Sequence, residues 1–421
     1  MNKVTIQSNL KKIHMMGVEG SGMSGIASLV SKMGYEVTGC DIKSSGHNID
    51  HLKDIDLLIV SPAILYNENL DPELLLGKSK NIVTTWEEFL GSTLAKNKKM
   101  IAIAGTHGKS TTTGMVGELL EDNSFDPLVM IGAKVKSWNG NSRYGKGDYF
   151  VVEADEFNDN FLHYNPEIII LNNIEFDHPD YFNSEKQLFE SFHKFVERLV
   201  GEKILIANWD NEGVRNLIEG LDLSKFKLIK YSRELSEINY NLKVLGDHNV
   251  TNTLGVIELG RILGIDEKKI IESLENFEGI GRRMEKIGKN IFDDYAHHPT
   301  AIKTTLAGAR NKYPNAKIWA IIEPHGFLRT KALLTFYKDA FASVDKVIIG
   351  PIFKARDKET FDMSPEKIKE VSNHKNIKAL ESLDEILKVI KSESKTDDIF
   401  VIMGAGESNI WAKQISEILH R

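Results

Sequence analysis

The chain has 421 residues, 41% of them hydrophobic and 27% charged, with a formal net charge of −7. Such a balance fits a soluble globular protein of two or three domains and supplies no basic field for nucleic acid. Cys40 is the only cysteine, which excludes an internal disulfide framework and a cysteine-rich zinc site.

The opening "MNKVTIQSNLKKIHMMG" has no long apolar core, so no secretory signal is read there, and no run approaches a membrane span. A cytoplasmic protein with no membrane partner is expected. "KIHMMGV" reads as a strand, "SGIASLVSKMG" as a helix, and "EVTGCD" and "DLLIVS" as two further strands. This βαβ pattern implies a parallel sheet. A second series begins with the strand "KKMIAIAG" and the helix "STTTGMVGELLEDN". It continues through strands "DYFVVEAD" and "EIIILNNI", helix "SEKQLFESFHKFVERLV" and strand "KILIAN". Helices follow in "HNVTNTLGVIELGRILGI" and "DEKKIIESLENF". A third series holds strands at "KNIFDDYAHHPT", "AKIWAIIEP", "DKVIIGPI" and "DIFVIMGAG". The restarts near residues 95 and 287 divide the chain into three α/β units in series, and the ends of such strands are where open parallel sheets bind ligands.

"GVEGSGMSGIA" places Gly20, Gly22 and Gly25 in a G-x-G-x-x-G spacing between a strand and a helix, with Asp41 at the end of the next strand. Glycines there let the backbone approach a diphosphate at a helix N-terminus. The pattern serves a dinucleotide cofactor, which would make the protein an NAD-dependent oxidoreductase. It equally serves the diphosphate of a nucleotide-sugar, or a tight packing turn with no ligand.

"AIAGTHGKSTTT" also follows a strand and precedes a helix. Lys109 is placed to reach β/γ-phosphates and Ser110 to ligate Mg²⁺. The usual pattern has a further glycine upstream, where this chain has Ile103. The loop alone is therefore also compatible with a surface turn. Glu153, Asp155 and Glu156 end one strand, and Glu175, Asp177, His178 and Asp180 lie just beyond the next. Acidic groups at successive strand ends beside a lysine loop suit a hard metal and a nucleotide.

These motifs occur in a known order. Gly105–Thr112, "EADE", "NNIEFDHPDYF", "GDHNVTN", "GRRME", "DDYAHHPT" and "EPHGFLRT" together resemble the Mur ligases, ATP-dependent amide-forming enzymes of peptidoglycan precursor synthesis. The resemblance spans nearly the whole chain, and the family loop, Gly-x-x-Gly-Lys-[Thr/Ser]-Thr, lacks the upstream glycine.

The resemblance implies a Rossmann-like UDP-sugar domain over 1–95 and a central ATP-binding domain over 96–287 with a P-loop ATPase-type parallel sheet. A Rossmann-like domain over 288–421 would receive the amino acid. ATP would contact Gly105, Thr106, His107, Gly108, Lys109, Ser110 and Thr111, with Asn249 at the adenine and His248 and Asn252 beside it. Arg283 would reach the γ-phosphate, and Asp294 the ribose or phosphates. Ser110, Glu153 and His178 would hold Mg²⁺, and Lys109, His178 and Arg283 would act on the reacting groups. Gly17, Gly20, Ser21, Gly22, Gly25, Asp41 and Ser61 would bind the UDP-sugar rather than NAD. Tyr295, His297, His325 and Arg329 would receive the amino acid. Domain closure would shield an acyl-phosphate intermediate from water.

The implied substrates are UDP-N-acetylmuramate and L-alanine, used by a monomer or homodimer. A tripeptide-recycling ligase, or a related Mur ligase using another amino acid, is the near alternative. The chain departs from the pattern at Gly326, where many alanine-adding members carry a larger polar residue, and at Leu328, which replaces a small hydroxyl residue.

Overall fold

The computed structural model describes residues 10–65, 71–235 and 241–419, and their strands form three separate sheets. The first contains β1 (Lys12–Met16), β2 (Glu36–Cys40), β3 (Leu57–Val60) and β4 (Val83–Thr85) in the order β2-β1-β3-β4, all parallel. The second contains β5 (Lys99–Ala104), β6 (Leu128–Val135), β7 (Gly140–Arg143), β8 (Tyr149–Glu153), β9 (Ile168–Leu171), β10 (Ile204–Asn208) and β11 (Lys227–Tyr231). Its order is β11-β10-β9-β5-β8-β6-β7, and only the edge strand β7 runs antiparallel. The third contains β12 (Glu285–Lys286), β13 (Ile291–Asp294), β14 (Ile318–Ile322), β15 (Lys346–Ile349), β16 (Ile377–Ala379) and β17 (Ile399–Met403). Its order is β12-β13-β17-β14-β15-β16, with β12 antiparallel. The chain is thus three α/β units in series.

The central strands are apolar runs because helices cover both faces of the sheet. Ile168–Leu171 and Ile204–Asn208 are buried at every position. One apolar cluster holds Met115, Leu119, Val256 and Phe277 from the covering helices. The cluster on the opposite face is continuous with the first unit, joining Ile13, Ile26 and Leu29 to Met100, Phe150 and Phe161.

Gly25 lies at that join. A Cβ there would stand 2.6 Å from the Asn141 side chain, and Ser142 Oγ donates to the Gly25 carbonyl at 3.0 Å. The third glycine of the first loop thus packs its helix, Ser21–Lys32, against β7, the packing role the spacing allows.

The connecting segment carries Glu87, which is 1% exposed. Burial pushes its carboxyl up to about 8, with Asp155 adding to the effect. Below its ordinary pKa, folded and unfolded chains both hold the proton. Between that value and about 8 only the unfolded chain ionises, so stability falls as pH rises. Glu87→Gln removes this dependence. Its stability relative to the wild type, read from urea unfolding, is expected to be about 3–4 kcal/mol more favourable at about pH 7.5 than at about pH 4.5. An equal difference at both pH values would refute the assignment.

Candidate active site

Strand β5 lies between β8 and β9, so the loop leaving it is flanked by the ends of both neighbours. Gly105 has φ +136°, and a Cβ there would stand 2.9 Å from the Asn173 carbonyl. Gly108, at φ +79°, begins the helix Lys109–Asp122, and a Cβ there would collide with Asn252. The two glycines let the loop lie flush against β9 and turn into the helix. Asn173 locks the loop by accepting from the His107 N–H at 2.7 Å and donating to the His107 carbonyl at 3.0 Å. Thr106 Oγ1 bridges to the backbone of Glu175.

Lys109 Nζ donates to the Gly105 carbonyl at 2.7 Å and to Glu156 Oε2 at 2.6 Å. Burial pulls its pKa down, but Glu156, Asp155 and Glu153 outweigh burial and keep it above the ordinary value. The ammonium therefore stays charged at neutral pH. Ser110 Oγ donates to Glu153 Oε1 at 2.8 Å, and the Gly132 N–H occupies Oε2 at 2.7 Å. Two of the predicted metal ligands thus meet. His178, the third, stands instead beside Glu156, its Nε2 3.8 Å from a buried Oε1 that has no hydrogen-bond partner among the described residues. Ligand atoms of Asp155, Glu156 and His178 lie within 4.8 Å of one another. The acidic edge is therefore wider than the predicted set of Ser110, Glu153 and His178.

These groups face a cleft of about 1210 Å³ lined by all three units. His248 and Asn249, at the start of the helix Asp247–Ile262, lie on its wall. Asn249 Nδ2 donates to the Leu245 carbonyl at 2.6 Å, while its Oδ1 is buried with no partner among the described residues. Burial, then Arg283 and His107, push His248 down to about 4. Arg283 faces the cleft over the Tyr295 ring, 5.3 Å from its centroid. Its neighbour Arg282 is tied into the third unit through Asp293 at 3.0 Å and the Gly404 carbonyl at 2.8 Å. Asp294 accepts from the Met284 and Ala296 N–H groups. Burial pushes its carboxyl up, against Arg283.

The third unit contributes Tyr295, His297, His325 and Arg329 to the same cleft. The His297 and His325 rings are 5.5 Å apart. Burial and Arg329 hold His297 well below the ordinary histidine value and His325 at about 4. Arg329 is ion-paired with Asp177 of the central unit, and its buried Nε has no partner among the described residues. Burial pushes Asp177 up, but Arg329 and nearby histidines outweigh it and hold the carboxyl well below the usual range. Glu175 forms a second joint, accepting from Thr300 Oγ1 at 2.5 Å and facing His107 Nε2 at 2.9 Å.

Gly326 has φ +78°, and a Cβ there would stand 3.4 Å from Asp357 Oδ2. Asp357 accepts from the Phe327 N–H at the head of the helix Phe327–Ala332. A left-handed turn capped by another loop accounts for glycine at this position.

The first loop lies elsewhere. Among its described residues only Gly22, with Trp86, lines this cleft. Gly17 and Ser61 meet at the ends of β1 and β3, where a Gly17 Cβ would be 2.9 Å from Ser61 Oγ. A crevice at such a reversal of strand order is where open parallel sheets generally bind ligands. Gly20 closes the turn onto the Gly17 carbonyl at 3.2 Å. Asp41 accepts from the Glu19 N–H at 3.3 Å. Ser21 begins the helix, but its side chain lies outside the described residues. Sequence reasoning gives no role to Asn172, Asn173 or Trp86, and it does not pair Glu156 with Lys109 or Asp177 with Arg329. No local spacing marks such partners.

Models of known families match the three units in turn. They are "Mur ligase family, catalytic domain" over residues 12–81, "Mur ligase middle domain" over 103–237 and "Mur ligase, glutamate ligase domain" over 282–406. The chain belongs to the Mur ligase family. Its relatives include a UDP-N-acetylmuramate–L-alanine ligase of Clostridium acetobutylicum, 35% identical, covering 94% of this chain and 95% of the relative. One of Clostridium tetani is 33% identical, covering 94% and 96%. Among solved structures, the UDP-N-acetylmuramate–alanine ligase of Thermotoga maritima aligns with a TM-score of 0.77 at 25% identity, covering 96% of this chain and 98% of that one. A murein peptide ligase of Psychrobacter arcticus aligns with a TM-score of 0.69 at 26% identity, covering 97% and 98%.

In this Mur ligase the Asp177–Arg329 pair spans two units and is almost wholly enclosed, at 5% and 12% exposure. Asp177→Asn leaves a buried guanidinium uncompensated. It is expected to cost about 3–5 kcal/mol in chemical unfolding, and Asp177→Asn/Arg329→Met should recover part of the loss. A single variant as stable as the wild type would show that the pair does not hold the joint.

Proposed function

We propose that this chain ligates L-alanine to the carboxylate of UDP-N-acetylmuramate, with ATP supplying the activation, in peptidoglycan precursor synthesis. One observation carries the reading. A phosphate loop with a charged lysine shares a single cleft with a guanidinium and two uncharged histidines from the third unit. The relatives' names supply the substrates.

A carboxylate and an amine do not condense unaided, because oxide is a poor leaving group. The muramate carboxylate attacks the γ-phosphate, forming an acyl phosphate and releasing ADP. The amine then attacks the acyl carbon and phosphate departs. Lys109 and Arg283 neutralise charge on the transferring group, since such catalysis is largely positioning and electrostatics. Lys109 exchanges Glu156 for phosphate oxygens. Asn249 presents its open Oδ1 to the adenine amino group, and Asp294 lies on the ribose side.

Ser110, Glu153 and His178, with Asp155 and Glu156 beside them, fit Mg²⁺. Their donors are oxygens plus one imidazole, and one buried carboxylate oxygen lacks a partner among the described residues. When bound, the ion neutralises polyphosphate charge.

Arg329 turns from Asp177 to the amino acid's carboxylate. His297 Nδ1 pairs with the Tyr295 carbonyl at 2.8 Å, leaving Nε2 as the acceptor for the amine proton. Because His297 and His325 are uncharged, the incoming ammonium is not repelled. Residues 1–95 hold the UDP-sugar, 96–287 the ATP and 288–421 the amino acid. The reaction takes place in the cytoplasm, where ATP and UDP-sugars are found.

The test is phosphate release with ATP, Mg²⁺ and UDP-N-acetylmuramate, offering alanine, serine, glycine and a muropeptide-type tripeptide in parallel. Alanine should give amide product with the highest kcat/KM. Product from the tripeptide alone would replace this reading with peptide recycling, and NAD-dependent turnover would end it. Lys109→Ala should lower kcat by at least about 10²-fold with the fold intact. His325→Ala should raise the KM for the amino acid while sparing that for ATP.

A further inference from the structure

The first unit contains a second cluster of ligating side chains, none of which lines the catalytic cleft. His14 lies on β1, Cys40 ends β2, His51 sits in the 3₁₀ turn Ile49–Leu52, and Glu73 opens the helix Pro72–Ser79. One ligand atom from each, four in all, lies within 4.8 Å of the others. His14 Nε2 is 3.3 Å from Cys40 Sγ and 3.1 Å from Glu73 Oε1. Cys40 Sγ is 3.6 Å from Glu73 Oε2, and His51 Nδ1 is 3.3 Å from the same carboxylate.

We propose that His14, Cys40, His51 and Glu73 form a structural site for a divalent transition-metal ion, with Zn²⁺ as the best match. Ligand atoms at zinc bond lengths in a tetrahedron stand about 3.3–3.6 Å apart. His14–Cys40, His14–Glu73, Cys40–Glu73 and His51–Glu73, at 3.1–3.6 Å, are of that order, and the remaining two pairs lie within 4.8 Å. The donors are two imidazoles, one sulfur and one carboxylate, a set that suits zinc rather than magnesium or calcium.

The charges also balance. On binding, the Cys40 thiol releases its proton to solvent, and thiolate plus carboxylate cancel the two positive charges of the ion. A neutral centre results where His14, Cys40 and Glu73 are 2%, 0% and 0% exposed. Outer contacts already aim the ligands. His14 Nδ1 is hydrogen-bonded to Thr38 Oγ1 at 2.7 Å, which turns Nε2 inward, and Glu73 Oε2 accepts from the Asn48 N–H at 2.8 Å. Such partners are the usual supports of metal ligands.

The site has a clear mechanical use. The crossover between β2 and β3 contains no α-helix among the elements of this unit, only the turn Ile49–Leu52. The ion ties that thin cover and the helix Pro72–Ser79 to the sheet. It does so beside Asp41, which orders the glycine-rich loop.

Cys40 is the only cysteine, so a metal–thiolate signal reports this site alone. The full-length, tag-free chain is stripped with chelator and titrated with Co²⁺, then Zn²⁺. A thiolate-to-cobalt charge-transfer band should saturate at about one equivalent and be displaced by zinc. Zinc should also raise the thermal midpoint. Cys40→Ala should lose the band while its circular dichroism stays native. His51→Ala should bind more weakly, and Thr38→Val should lose about tenfold in affinity. No thiolate band in the wild-type chain would overturn the proposal and leave a hydrogen-bonded core cluster. Unchanged affinity in His51→Ala would overturn the four-ligand assignment.

Discussion

The position of β5 governs the catalytic chemistry of this molecule. A parallel strand enclosed by two parallel neighbours delivers its loop to a crevice already walled by the ends of those neighbours. β8 ends in Glu153 and leads to Asp155 and Glu156, and β9 leads into Asn172, Asn173 and Glu175. The loop reaches this place only because Gly105 and Gly108 carry no Cβ where Asn173 and Asn252 press against them. Lysine, acids and asparagines from distant parts of the sequence meet there because the strand order leaves them no other position.

The third unit joins this crevice through charge. Glu175 and Asp177, on one short segment after β9, face Thr300, His298 and Arg329 across the boundary. Ion pairs and hydrogen bonds of this kind depend on geometry, unlike apolar packing, and lose much of their strength when one partner moves. The residues that hold the boundary also face the cleft, so a ligand that draws Arg329 or Glu175 to itself alters the joint directly.

Much of this is legible in the sequence. The apolar runs of β5, β9, β10, β14 and β17 announce buried parallel strands, and "GTHGKSTT" announces the loop. The ordered motifs then identify the family and most of the cleft. The short strands β4, β12 and β16 escape a sequence reading, because runs of two or three mixed residues carry no periodicity. The β6–β7 hairpin escapes it despite a signal, since Asn139-Gly140 is a turn dipeptide and Asn139 takes φ +49°. The pairing of Lys109 with Glu156, 47 residues on, and of Asp177 with Arg329, 152 residues on, is a property of topology that no local spacing encodes. The histidines and single cysteine of the first unit look unconnected in the sequence for the same reason.

The apolar cluster that runs unbroken from the first sheet into the central one has a mechanical consequence. Dense side-chain packing resists shear, so this join is stiffer than a boundary held by polar contacts alone. The glycine-rich crevice and the phosphate loop thus stand on one continuous apolar core. The boundary of the third unit is held instead by the polar contacts of Glu175 and Asp177. A ligand entering the cleft would therefore meet two kinds of wall, one backed by apolar packing and one held by ion pairs for which it can compete.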